Sequence, residues 1–405
     1  MAAAPERRAL RGELRARFAS GDARIAMVHD WLVTLGGSEL VLEQLLALFP
    51  QAHVFTLIDH RPMSHVGGAE PGVTPSIGAG QVTTSWMQHI PGIARHHRSW
   101  LPLMPLALRS LDVSAYDIVI SNSHAVAKGI RTHANQLHLC YCISPMRYAW
   151  DLKQQYLREA GLDHGVKGVL ASAMLDRMRR WDLANTPGVD AFATLSHYIA
   201  ERIRRAYGRE SVVIYPPVDT GFFTPGSEAR EDFYVTVSRF VPYKRVDMIA
   251  RAFRAMPDRR LVIIGDGPDA RKVRAAAGPN VHVAGQLSRE EIRSYLRRAR
   301  AFVFAAEEDF GIAPVEAQAC GTPVIAFGRG GVTETVRGLD SAAPTGVFYG
   351  EQKAASLADA VRRFEGTGTA IDDVECRASA LRFRAELFRA NVRSFVENEI
   401  KRAGE

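Results

Sequence analysis

Glu308 and Glu316, separated by seven residues, flank a passage from an apolar run into a helical one. Ala301-Phe-Val-Phe-Ala305 reads as a buried strand, Glu307-Glu-Asp-Phe-Gly-Ile-Ala-Pro314 as the loop, and Val315-Glu-Ala-Gln-Ala-Cys320 as a helix stopped by Gly321-Thr-Pro323. Pro314 suits the first helical turn and Gly321 the C-cap. The unpaired amides of Phe310, Gly311, Ile312 and Ala313 are then expected at the strand's C-terminal edge, an end that attracts phosphate or a sugar hydroxyl. With Glu308 in the loop and Glu316 in the helix's first turn, the two carboxylates can serve different parts of one ligand. One accepts hydrogen bonds from vicinal hydroxyls, as a ribose presents them, and the other lies nearer the phosphate end. A plain alternative stands beside each: acids favour helix N-termini without any ligand, and a loop acid can simply be solvated. The combination carries the functional reading.

A second set comes after another apolar run, in Val237-Ser-Arg239-Phe-Val-Pro-Tyr-Lys244-Arg245. Arg239 can grip a phosphate bidentately, and Lys244 adds a compact charge where a helix is expected to begin, near Arg245. Together they could neutralise a diphosphate, although a surface Arg and Lys flanking a loop are common without that role.

The elements that must position these groups form two series of short apolar runs alternating with helical patterns, the signature of parallel βαβ construction. The first comprises Ile25–Val28, Ala52–Ile58, Asp117–Ile120, Leu137–Cys142 and Ala191–Leu195; the second comprises Phe233–Val237, Arg260–Ile264, Val281–Val283, Ala301–Phe304 and Pro323–Ala326. Val212-Val-Ile-Tyr-Pro-Pro-Val-Asp219 between them reads as an extended linker, because adjacent prolines exclude helix. The expected organisation is a basic extension over 1–22, a Rossmann-like domain over 23–210, a second over 211–376, and a terminal helix within 377–405 that returns towards the first. Two doubly wound domains facing a central cleft would gather ligands at their strand C-termini.

Composition allows this and excludes the exotic classes. The chain has 405 residues, 47% hydrophobic and 23% charged, with 33 Gly and 20 Pro, an ordinary globular balance spread over more length than one core usually supports. A formal net charge of +7 suggests anionic partners. Arg7, Arg8, Arg11, Arg15 and Arg17 make the densest basic stretch, read as a short amphipathic helix in a solvated extension. No run approaches the ~18 apolar residues that cross a bilayer, and no leader pattern is present, so a cytoplasmic protein is expected. The four cysteines, Cys140, Cys142, Cys320 and Cys376, lack metal-ligand spacing and are expected buried and reduced.

The chain resembles a retaining glycosyltransferase of family 4 with the GT-B fold. The resemblance rests on Glu308-Asp-Phe-Gly-Ile-Ala-Pro-Val-Glu316 with its continuation to Ile325, Ser238-Arg-Phe-Val-Pro-Tyr-Lys244, Gly265-Asp-Gly-Pro268 and Gly36-Gly-Ser-Glu39, and covers roughly residues 23 to 400. It implies that Arg239 and Lys244 hold the diphosphate of a nucleotide-sugar donor and that Glu316 holds its ribose. Glu308, with the Phe310, Gly311 and Ile312 amides, would hold the donor sugar, while Gly265, Asp266, Gly267 and the loop after Val283 lie near the base. His124, in Ser121-Asn-Ser-His-Ala-Val-Ala127, matches a position where relatives set a histidine against the donor sugar. Its plain alternative is a capping neighbourhood, with Ser121 or Ser123 capping a helix after it. Gly36 and Gly37 would let backbone approach a phosphate or the acceptor.

No DxD stands at a strand end, so no metal is expected, and the nucleotide sugar is a substrate rather than a cofactor. Trp86–Ile93, Arg95–Met104 and Ser144–Asp151 mix aromatic, basic and apolar groups that suit a lipid-linked acceptor, although core packing explains any one of them. Their flavour is similar to bacterial O-antigen and exopolysaccharide mannosyltransferases. That implies GDP-mannose as donor, a glycan or polyprenyl-linked saccharide as acceptor, and peripheral contact with an anionic membrane at its inner face. Three rival readings remain. A dinucleotide-dependent oxidoreductase fits the relaxed glycine pattern Gly265 to Ala270, but the next strand ends at Gly285-Gln286 without an acid for the ribose. A polyanion-binding protein fits the charge; nucleic acid is not the expected partner. A sugar-nucleotide epimerase or phosphorylase would share the fold.

Overall fold

The computed structural model describes residues 13–33, 36–61, 81–150, 153–159, 161–368 and 370–404. The chain divides into two compact units: Met1–Pro216 with Phe388–Glu405, and Pro217–Leu387.

In the first unit, β1 (Ile25–His29), β2 (His53–Thr56), β3 (Val82–Thr84), β4 (Ile118–Ser123), β5 (Leu137–Cys142), β6 (Ala191–Thr194) and β7 (Ser211–Val213) form one sheet in the order β3-β2-β1-β4-β5-β6-β7. Every pairing is parallel. In the second unit, β8 (Phe233–Val237), β9 (Arg260–Ile264), β10 (Val281–Gly285), β11 (Ala301–Phe304), β12 (Val324–Phe327) and β13 (Gly346–Tyr349) run β10-β9-β8-β11-β12-β13, again all parallel. Both are doubly wound Rossmann-like sheets. Central strands covered on both faces must be apolar along their whole length, and β1, β4, β5, β11 and β12 are buried throughout. Packed on them are Val28, Met104, Val119 and Met178 in one core and Phe240, Phe253, Ile263, Val303 and Leu357 in the other.

Three strands lack a match among the expected runs. β3 and β7 are three-residue edge strands with half-exposed faces, too short to alternate. β7 occupies the start of the stretch read as linker, so the division between units falls within the Pro216-Pro217 pair rather than near residue 210. β13 opens on Gly346, where a Cβ would run into the Val324 carbonyl of β12. The terminal helix expected over about 377–401 is two helices, Asp373–Leu381 and Ala385–Gly404. They are interrupted where Arg384 bridges to Val218 and the Val218 amide donates to the Phe383 carbonyl at 2.8 Å. From Phe388 onward the last helix packs with the first unit: Phe388 meets Tyr141 edge-on at 5.7 Å, and Arg389 donates to Gln44. Of the basic N-terminal stretch, Arg7, Arg8 and Arg11 lie outside the described residues, and residues 13–20 are helical. All four cysteines are buried as thiols.

Candidate functional site

Strand order reverses direction between β8 and β11 in the second unit, and the loops leaving those two strands meet at that crevice, the place where open α/β sheets take ligands. The loop after β8 is knitted to the one after β9 by backbone alone. Phe240 N–H donates to the Asp266 carbonyl at 2.8 Å, Asp269 N–H to the Phe240 carbonyl at 3.0 Å, and Ser238 N–H to the Ile264 carbonyl at 3.0 Å. Gly265 and Gly267, at φ +134° and +151°, are what this approach demands, since a Cβ on either would strike the Ser238 or Phe240 backbone. Their first duty is therefore to hold the Arg239 loop. Asp266 and Arg239 point outward as exposed side chains, and Arg239 forms no ion pair with a described residue.

After a 3₁₀ turn, Pro242–Lys244, Arg245 adopts φ +55°, the one non-glycine residue in the left-handed region among those described, and leads into helix Val246–Arg254. That conformation costs about 1 kcal/mol and turns the chain sharply between Lys244 and the helix. The Lys244 ammonium is thereby set against the Glu308 carboxylate as an ion pair, with the Tyr243 and Phe304 rings 5.6 and 5.9 Å away. The two groups assigned to different parts of a ligand are thus partners of each other.

β11 delivers Glu308 through a loop buttressed by the turn after β12. Glu308 and Gly330 form a parallel bridge, and Gly331 N–H donates to the Glu308 carbonyl at 2.8 Å. A Cβ on Gly330 would collide with that carbonyl, and one on Gly331 with the Asp309 carbonyl. Sequence reasoning misses the need for Gly330-Gly331, whose signal is a glycine pair just after an apolar run. Phe310 is buried edge-on to Phe383 at 5.2 Å, Gly311 is the N-cap at φ +89°, and helix Ile312–Ala319 begins. Its free first-turn amides and positive dipole end open at the crevice.

Pro314 is the third helical residue, so Glu316 stands beyond the first turn rather than in it, and the first turn carries no acid. The explanation of Glu316 as a helix-terminus acid therefore falls away. Its carboxylate accepts from no described residue, and burial pushes its pKa up to about 7, opposed by Arg289 and reinforced by Asp219. Arg289 and Asp219 pair with each other at 2.8 Å. A carboxylate with no internal donors, whose ionisation is held back by burial, has its acceptor capacity open to hydroxyl donors.

The first unit gathers polar groups at its own reversal, between β1 and β4, where His29 sits opposite Asn122. Asp30 is fully buried. Its Oδ2 accepts from the His124 and Ala125 amides at 2.7 and 3.0 Å, and its Oδ1 from those of Val126 and Ala127 at 2.6 and 2.7 Å. The capping expected of Ser121 or Ser123 thus belongs mainly to Asp30. Ser121 bonds His138 Nε2 at 2.9 Å, while Ser123 accepts from Lys128 N–H at 3.2 Å. The element capped is a short 3₁₀ turn, Ala127–Gly129. The His124 ring lies beside Asp30, whose Oδ2 is 3.1 Å from Nδ1 without hydrogen-bonding geometry, and packs edge-on against Trp31 at 4.6 Å. Burial lowers its pKa, against the attraction of Asp30 and with the help of His29, so the ring is neutral at pH 7.

Gly36 and Gly37 are the N-cap and first residue of helix Gly37–Leu48. Gly36 is extended, at φ −149°, so no left-handed conformation requires it; a Cβ there would press on Glu39 Oε2 at 3.1 Å. Glu39 faces His29 at 3.5 Å; burial is the largest influence and would raise its pKa, but His29, His124 and the Ser38 hydroxyl together hold it below the usual carboxylate range. Asp30 and Glu39 both lie in segments that carry sequence signals, His29-Asp-Trp31 and Gly36-Gly-Ser-Glu39, yet nothing in their spacing marks either as a site residue. Among the described residues no three His, Cys, Asp or Glu side chains are grouped to hold a metal ion, and no helix is long and apolar enough to cross a membrane.

Residues 219–371 match the family Glycosyl transferases group 1. A D-inositol 3-phosphate glycosyltransferase of Mycobacterium sp. (strain JLS) is 36% identical over 148 residues, covering 31% of this chain and 33% of that protein. A GDP-mannose-dependent alpha-(1-6)-phosphatidylinositol monomannoside mannosyltransferase of Mycolicibacterium smegmatis is 32% identical over 177 residues, covering 36% and 46%. The chain thus spans between a third and a half of the length of these relatives. Over nearly the whole chain, the fold is similar to that of Anabaena HepE in complex with UDP, with TM-score 0.68, 15% identity, and coverage of 93% and 100%. AviGT4, a glycosyltransferase involved in avilamycin A biosynthesis, superposes at TM-score 0.51 with 18% identity over 94% and 98%.

Proposed function

We propose, from a second unit that is a group 1 glycosyl transferase domain on a chain with the GT-B fold, that this protein is a glycosyltransferase. It moves a hexose from a nucleotide sugar, mannose from GDP-mannose in our reading, to a glycan or polyprenyl-linked saccharide. The observation that carries the proposal is the unbonded Glu316 carboxylate, its pKa raised to about 7, on the helix whose N-terminus opens where β8 and β11 diverge, with exposed Arg239 on the neighbouring loop. Such a crevice suits a ribose at one end and a diphosphate at the other. The choice of mannose is supported by the relative that is GDP-mannose-dependent.

In the proposed reaction the bond between the sugar's anomeric carbon and the diphosphate oxygen breaks, the acceptor oxygen bonds to that carbon, and the acceptor's proton passes to the departing phosphate. Attack on the face of departure retains configuration. Charge grows on the diphosphate as it leaves. Arg239, Lys244 and the amides at Gly311 and Ile312 supply preorganised positive potential, the main electrostatic task of the step. With that charge met by side chains, neither a metal nor a cofactor is needed. Turnover should persist in EDTA; loss of rate restored by Mn²⁺ or Mg²⁺ would overturn that part.

The deciding experiment is a panel of sugar nucleotides scored by thermal shift, hydrolysis and product analysis with and without acceptor. Stabilisation and hydrolysis by GDP-mannose above the others is the expected result. A flat panel would sink the assignment, and an epimerised or phosphorolysed product would move it to another reaction on the same fold.

A further inference from the structure

Helix Gly165–Ala184 of the first unit presents two opposite faces. Gly168, Leu175, Met178 and Asp182 are buried, with Leu175 and Met178 in the core. On the other side Val166, Val169, Leu170, Ala173, Arg177 and Arg180 recur at intervals of three and four and line one outward stripe. Its first two turns are aliphatic and strongly exposed, Val166 at 77%, Val169 at 69% and Leu170 at 65%. Its next two are basic.

The stripe is presented rigidly. At the N-terminal end Gly168 lies so close to the preceding turn that a Cβ would stand 2.8 Å from the Leu162 carbonyl. At the C-terminal end Asp182 is fixed by the Lys128 ammonium at 2.9 Å, Trp150 Nε1 at 2.7 Å and the Tyr207 hydroxyl at 2.8 Å. A helix anchored at both ends that leaves three large aliphatic side chains in water on adjacent turns marks a contact surface.

We infer that this stripe docks on an anionic lipid bilayer, the aliphatic turns entering the acyl boundary while Arg177, Arg180 and neighbouring Lys167 meet lipid phosphates. The charges choose the occupant. Arg177, Arg180 and Lys167 are exposed and form no ion pair with a described residue, whereas the one acid on the exposed side, Asp176, is already paired with Lys153 at 2.6 Å. Pairing with a second copy of the helix would set Arg against Arg in the parallel sense and Arg against aliphatic turns in the antiparallel sense. A surface with anionic headgroups above an apolar layer satisfies both halves at once. The inference goes beyond the proposed transfer reaction and stands whether or not that reading holds.

The test is flotation of the full chain with vesicles of phosphatidylcholine containing about 30% phosphatidylglycerol, against pure phosphatidylcholine, at about 0.1 M salt. Wild type is expected to float with the anionic vesicles. Val169→Asp/Leu170→Asp and Arg177→Glu/Arg180→Glu should each lower the partition coefficient by about tenfold or more. Circular dichroism and thermal unfolding should be unchanged, since every substituted side chain is exposed. Failure of wild type to bind, or binding by both double variants equal to wild type, overturns the proposal. A wild-type dimer that Leu170→Asp dissociates, without vesicle binding, reassigns the stripe to self-association and overturns it too. Thermal shift with the sugar-nucleotide panel in the same samples reports separately on the donor site.

Discussion

Each sheet gathers polar side chains where its strand order reverses, between β1 and β4 in one unit and between β8 and β11 in the other, but the two sets are held in opposite ways. In the first, Asp30 has both oxygens occupied by four backbone amides, and Glu39 faces His29. In the second, Glu316 accepts nothing from a described residue and Arg239 extends into solvent without an ion pair among them. A buried carboxylate whose hydrogen bonds are internal stabilises the fold and aims its neighbours. One whose bonding capacity is open, at the cost of a raised pKa, is kept for a ligand. Lys244 and Glu308 stand between these cases, bonded to each other yet beside the helix N-terminus.

The sharpest way to break that comparison is at the intermediate pair. Lys244→Ala and Arg239→Ala should each lower kcat by on the order of 10²-fold or more, with smaller changes in donor KM, if both act on charge that develops as the diphosphate leaves. Stability should separate them. Arg239→Ala removes no described ion pair and should leave Tm alone, whereas Lys244→Ala strands the Glu308 carboxylate and should lower it. A variant that raises only KM has lost uniform binding, and the helix N-terminus then carries the transition-state role.

Asp30 tests the other pole. Asp30→Ala removes the acceptor of four buried amides and the partner of His124, so urea denaturation should report a loss of roughly 2 kcal/mol or more. Calorimetry on the same folded variant should find GDP affinity unchanged, because the groups read as ribose and diphosphate ligands, Glu316, Arg239 and Lys244, belong to the second unit and the free nucleotide lacks the sugar that His124 would meet. An unaltered stability would show that water replaces the carboxylate easily and that Asp30 is not the positioning residue its bonds suggest.

How far the sequence reveals each feature depends on how local that feature is. Strand β11, the Glu308 loop and helix Ile312–Ala319 are contiguous, so run, loop and breaker residues by themselves place the site on a strand-to-helix passage. Pro314 does lie in the first helical turn, but reading the helical run from Val315 places Glu316 too early in it, whereas Gly311, free to reach φ +89°, is the residue that caps it. The Lys244–Glu308 pair is invisible in the sequence, because it depends on β8 and β11 being neighbours across intervening strands. Asp30 reaching the amides after β4 and Gly330 bracing Glu308 are likewise products of parallel register. β3, β7 and β13 are illegible for a different reason: three or four residues carry too little periodicity to tell a strand from a loop.

The smallest predicted change in stability is the most specific, and it belongs to Glu316. Its folded-state pKa of about 7 lies above the ordinary glutamate value of 4.5, so between those values the folded protein keeps a proton that the unfolded chain has released. Stability from this group therefore falls as pH rises through that window, and the loss is complete above it. Glu316→Gln should accordingly gain stability relative to wild type as pH increases from 5 to 8, on the order of 1 kcal/mol or less for a partly exposed group. Ligand binding should run the other way. If the ionised carboxylate accepts the ribose hydroxyls, affinity for a sugar nucleotide, whose diphosphate has no group titrating near neutrality, should rise by up to about tenfold between pH 6 and 8 as the ionised fraction grows. Glu316→Gln should flatten that profile and weaken binding at pH 8 by about 1–3 kcal/mol. Isothermal calorimetry across the range reads both. A wild-type profile as flat as the variant's, with equal affinity at pH 8, would mean that the open carboxylate is not the ribose acceptor and that the contrast with Asp30 reflects burial alone.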